Sequence, residues 1–203
     1  MKRTCPIIKI PVRYSRTNVL KEPEPERIFS EFLNELPQLK SLLENTSGGL
    51  LLANSSESLY RSEVLSIFLI RTIFPHFIPY DKVTIIEALT EADYYAAWLG
   101  NGLPITLVRV REWTGLLKAL LSMKENCSRS RRVIYAPAIY RLYLAEIATL
   151  TTLHKARRLL LLALSLLSHR GRKNSCYLSV VPTSFKNVGK LSRFSSAILD
   201  ITS

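Results

Sequence analysis

The chain has 203 residues, of which 47% are hydrophobic, and a formal net charge of +12. That length allows one domain or at most two small ones, and the apolar content, with only 7 glycines and 10 prolines, excludes wholesale disorder. A charge this far from zero speaks about partners: RNA, DNA, an anionic membrane or an acidic protein face, set against a merely basic solvated surface.

In chain order, residues 1–27 read as an N-terminal arm. Its Ile-rich start suits a short strand, and the prolines of Glu22-Pro23-Glu24-Pro25-Glu26 oppose a helix. Phe29, Phe32, Leu33, Leu36 and Leu39 recur at helical steps, which predicts a helix over 27–43 with a break or start at Pro37. Ser47-Gly48-Gly49 ends it. A second helix is expected from Ser55-Ser56 to Phe74, and a third from Asp81 to about Leu99, stopped by Gly100-Asn101-Gly102. Pro104 to Val110 is the best strand candidate, being rich in β-branched residues. Helices follow over about 111–124 and 138–168, the latter whole or broken near Thr151-Thr152. Tyr177 to Val181 suits a last strand, and 182–203 reads as a loosely held basic, Ser-rich tail. The expected fold class is therefore mainly α: one helical domain over 28–181 with at most one or two short strands.

Little in the sequence points to chemistry. Cys5, Cys127 and Cys176 lie far apart, lack C-x-x-C spacing, and suit a reducing compartment. Met1-Lys2-Arg3-Thr4-Cys5-Pro6 lacks the apolar run and cleavage site of a secretory leader, so an intracellular protein is expected. The apolar run Leu159 to Leu167 is far short of the ~20 residues that cross a bilayer. His76, His154 and His169 show no metal or nucleophile spacing, and no phosphate-cradling glycine loop or nucleophile elbow is present. Glu87 and Glu91, four apart, are expected on one solvated helix face. No catalytic residue, metal, cofactor or small-molecule substrate is expected, and hence no enzyme.

Basic clusters carry more. Arg129, Arg131 and Arg132 form one; Lys155, Arg157 and Arg158 a second; Arg170, Arg172 and Lys173 a third. Tyr135, Tyr140, Tyr143 and Tyr177 lie near them, and arginine forks beside aromatic rings are what looped or single-stranded RNA is held with. A basic rim around a helical core accounts for the same residues. A third function class is peripheral membrane association through Leu159–Leu167 with Arg157, Arg158 and Arg170 beside it. Leu, Ser and Arg, the amino acids with the most codons, dominate the composition, as in genes overprinted on another reading frame.

The stretch from Glu57-Ser58-Leu59-Tyr60-Arg61-Ser62-Glu63 to Ile70, the segment Leu89 to Pro104 with Tyr94, Tyr95, Trp98 and Gly100, and the following Ile105-Thr106-Leu107-Val108 resemble the P-zero silencing suppressors of poleroviruses. The resemblance spans roughly residues 28 to 168 and lies in the order and texture of segments. It implies an F-box-like adaptor that recruits the host Skp subunit of an SCF ubiquitin ligase, brings Argonaute to it, and so blocks antiviral RNA silencing in the host cytoplasm, with membranes or the nucleus as further sites. The family's motif is Leu-Pro, an apolar residue three positions on, and a trailing proline. Leu89 matches the leading leucine and Pro104 the trailing proline, while Thr90 and Asp93 stand at the family's proline and apolar positions. Leu89, Thr90, Asp93, Trp98 and Pro104 are the partner-binding residues the resemblance implies. Trp113 and Gly115 fall where the family carries a Trp/Gly element tied to suppression.

Overall fold

A computed structural model describes residues 5–11, 34, 36–45, 48–77, 80–88, 99, 104–123, 132–174 and 177–202, with the side chains of 11, 45, 170–174 and 202 outside that description. The architecture is α/β. Seven strands form one wholly parallel sheet: β1 (Ile7–Pro11), β2 (Gly49–Ser55), β3 (Lys82–Glu87), β4 (Ile105–Arg109), β5 (Arg132–Tyr135), β6 (Tyr177–Thr183) and β7 (Ala197–Thr202). Their spatial order is β1-β7-β2-β6-β5-β3-β4. The mainly helical expectation is thus overturned.

The reason is physical. A parallel strand with helices on both faces is apolar on both, so it lacks the period-two signature of a half-exposed strand. Every residue of β2 is buried, with Leu51 and Ala53 in one core and Leu50 and Leu52 in the other. β6 repeats the pattern with Leu178 and Val180 against Tyr177 and Val181. Residues 82–87, expected to begin a helix, are β3. Residues 197–202, expected in a loose tail, are β7, which lies between β1 and β2.

Among the described residues, five helices cover the sheet. α1 (Pro37–Asn45) and α2 (Leu59–Phe68) bury Leu39, Leu43, Leu65, Ile67 and Phe68 on the first face. α2 runs on through a π-turn (Leu69–Ile73) into a 3-10 turn (Phe74–His76) that holds Pro75. The Tyr80 hydroxyl donates to the Ile70 carbonyl at 2.5 Å. α3 (Trp113–Ser122), α4 (Ala138–Leu142, extended by a π-turn over Tyr143–Ile147 and a last turn over Ala148–Leu150) and α5 (Leu153–Asn174) fill the second face, with a short 3-10 turn at Val188–Leu191. The segment expected to be one helix or two broken near Thr151-Thr152 is broken there: Thr151 leaves the helical region at φ −130°, ψ 164°.

The two faces follow from handedness. From β1 to β4 the chain steps in one direction along the sheet, with α1 and α2 on the first face. From β4 back to β7 it steps the other way, with α3, α4 and α5 on the second. Right-handed crossovers require this exchange of face when the direction reverses. One glycine is obligatory: Gly49 enters β2 at φ +141°, and a Cβ there would stand 2.1 Å from Ser196 Oγ.

Candidate functional site

In open α/β sheets ligands bind beyond the carboxyl ends of the strands, where neighbouring strands send their connections to opposite faces. Here the order makes such crevices between β2 and β6 and between β3 and β5. Both hold side chains of the protein itself.

At the first, Asn54 stands in register with Thr183 on one side and Asp200 on the other. Its Nδ2 donates to Asp200 Oδ1 (2.8 Å) and to the Phe185 carbonyl (3.0 Å). Its Oδ1 accepts from Thr183 Oγ1 (3.0 Å) and the Phe185 amide (2.8 Å). All four hydrogen-bonding capacities of the carboxamide are used. The loop after β6 is thereby pinned over the crevice, and the Phe185 ring packs edge-on against Tyr140, with centroids 4.8 Å apart. The Tyr140 hydroxyl donates to the Ser184 carbonyl at 2.5 Å. Burial, with the neighbouring Tyr143 adding to it, pushes the Tyr140 pKa up to about 12 despite that bond. Asp200 also pairs with Lys9 at 2.9 Å, tying edge strand β1 to β7.

At the second crevice lies a buried charge cluster. Glu63 comes from α2 on the first face, Arg141 from α4 on the second, and Glu87 from the end of β3. Arg141 Nε and Nη2 lie 2.9 and 2.8 Å from Glu63 Oε1, and Nη1 lies 3.6 Å from Glu87 Oε1. Glu87 is fully buried and its Oε1 accepts the Ala88 amide at 2.6 Å. A solvated acidic face was expected at Glu87; a residue closing a buried strand replaces it. The guanidinium joins elements from opposite faces, a bond that two separated charges in low dielectric make strong and costly to break.

The residues expected from sequence fall elsewhere. Leu89, Thr90, Asp93, Trp98, Arg129 and Arg131 lie outside the described residues. Pro104 is exposed just before β4, and its carbonyl accepts the Val83 amide at 3.1 Å. Trp113 opens α3 with its ring in the second-face core, 3% exposed, and the Glu146 carboxylate accepts its backbone amide at 2.7 Å. Gly115 is half-buried two positions on, with room for a Cβ, whose nearest neighbour would be Glu112 Cγ at 3.7 Å.

Arg132 begins β5 at the amino edge of the sheet, remote from both crevices. Arg157 and Arg158 are exposed on the first turns of α5. Arg170, Arg172 and Lys173 belong to its last turns, about 18 Å away at 1.5 Å per residue. Arg157 and Arg158 therefore stand at the opposite end of α5 from Arg170, Arg172 and Lys173. Of Leu159–Leu167, Leu160, Ala163, Leu164 and Leu167 are core, so the run as a whole is no membrane-facing surface. Among the described residues no helix is long and apolar enough to cross a membrane, and no group of His, Cys, Asp and Glu is placed to hold a metal.

Sequence reading missed Asn54, Glu63, Glu87 and Arg141 as a set, because only the strand order brings them to one edge. No protein-family model matches the chain, and no curated protein matches it.

Proposed function

We propose that this chain acts by holding macromolecular partners on its surface, not by catalysis, and that its activity is suppression of RNA silencing through Argonaute turnover. The observation that supports a surface mode of action is the occupied carboxyl edge. Where a doubly wound fold accepts a nucleotide or substrate, Asn54, Phe185, Arg141, Glu63 and Glu87 pair with one another instead. The silencing reading rests on the resemblance of residues 57–70 and 89–108 to the P-zero family. Pro104, exposed at the head of β4, is available to a partner as the family's trailing proline would be. The α/β fold argues against a free-standing helical F-box, so a Skp contact is confined to the segment that leads into Pro104.

The test is co-expression in leaf of a silenced reporter, tagged Argonaute and the full chain or its Leu89→Ala/Pro104→Ala variant. Reporter signal should rise and Argonaute fall with the wild type, and neither should change with the variant. A reporter that stays silent with the wild type refutes the reading.

A further inference from the structure

The corner where α4 gives way to α5 is built against ordinary helix economy. Leu150 and Leu153, which flank the break at Thr151-Thr152, are 76% and 79% exposed, the most exposed large hydrophobic residues among those described. Next to them Lys155, Arg157 and Arg158 are all exposed on the first turns of α5 and form no ion pair among the described residues. No acidic residue occupies that first turn. From Ile147 to Asn174 the sequence has no Asp or Glu at all, and the nearest acid, Glu146, is engaged in capping α3. Cations at a helix N-terminus oppose the macrodipole, so the fold gains nothing from them there. One turn beyond Arg158 on the same stripe, Leu162 is again 45% exposed.

We propose that this corner docks on an anionic lipid surface. Leu150 and Leu153 enter the boundary between headgroups and acyl chains, while Lys155, Arg157 and Arg158 meet the phosphate and carboxylate headgroups around them. The charge selects an anionic partner, and the aliphatic tip selects lipid over RNA. Single-stranded RNA is gripped by several rings on which bases stack, and this corner exposes two leucines with one small ring, the His154 imidazole, beside them. The surface shares no residue with Pro104 or with the Asn54 and Arg141 networks, so the inference stands apart from the silencing reading.

Flotation of the full chain with vesicles decides it. The chain should float with phosphatidylcholine vesicles that contain phosphatidylserine and not with phosphatidylcholine alone, and about 1 M salt should release it by screening. Leu150→Ser/Leu153→Ser and, separately, Lys155→Gln/Arg157→Gln/Arg158→Gln should each weaken partition about tenfold or more. Both should keep the wild-type circular dichroism and thermal midpoint, since every altered side chain is exposed. Three results overturn the proposal: no flotation with anionic vesicles, equal flotation with neutral ones, or binding of single-stranded RNA that needs the cations, with vesicle binding indifferent to the leucines.

Discussion

The carboxyl edge of the sheet and the α4–α5 corner treat charge in opposite ways. At the edge, Arg141 is drawn between two buried carboxylates and Asn54 has every hydrogen bond it can form. At the corner, two arginines and a lysine stand in solvent beside two leucines that the core does not use. The difference teaches where to look for action in this chain. Polar groups that satisfy one another stabilise the fold, and groups the fold leaves exposed at a cost are those open to a partner.

Trp113 offers the largest contrast. If it acts by packing, Trp113→Ala costs about 3–5 kcal/mol in urea unfolding. Trp113→Phe should cost under about 1.5 kcal/mol, because the buried indole N–H has no acceptor among the described residues. A Trp113→Ala protein of wild-type stability would move this residue from the core to the partner surface. Next in size is Asn54→Ala, which strips partners from Thr183, Phe185 and Asp200 together and should cost about 2–3 kcal/mol. The same measurement with neutral stability would show that the loop after β6 is not held by this side chain.

The tyrosines sharpen the picture through pH. Tyr140 and Tyr80 both have pKa values raised to about 12 from 10.0, chiefly by burial. A raised folded pKa contributes stability that is complete below the unfolded value and is lost as pH rises through the folded one. Stability should therefore decline from about pH 10 to 12, and Tyr80→Phe/Tyr140→Phe should flatten the decline. An unchanged slope in that variant would assign it to other groups. Smallest is Gly115→Ala. Space exists for the methyl group and Gly disfavours a helix interior, so a gain of about 0.5–1 kcal/mol is expected. A loss would mean that α3 needs a closer neighbour at Gly115 than Glu112.

Much of the chain was legible where one side of an element meets solvent. α3, the break between α4 and α5 at Thr151-Thr152, and the half-exposed β4 all carried their signals. β2, β3 and β7 did not. Leu50 to Ala53 is a four-residue apolar run buried on both sides, and Val83 to Ile86 reads as the start of the helical pattern expected after it. The last strand, expected to end at Val181, continues to Thr183, and Pro182 is tolerated there because it lies past the last β5 partner, Val180. The basic residues of α5 could be read from sequence. The edge network could not, since Asn54, Glu63, Glu87, Arg141 and Asp200 share no local pattern and meet only through the strand order.

The most direct test of the contrast is urea unfolding of the full chain with Arg141→Ala beside Arg157→Gln/Arg158→Gln. Arg141→Ala should lose about 3–5 kcal/mol, since it takes the guanidinium from two buried carboxylates. The α5 variant should stay within about 0.5 kcal/mol of wild type or gain slightly as the opposed dipole is relieved. Equal losses in the two would show that the corner serves the fold as the edge does, and would contradict the account.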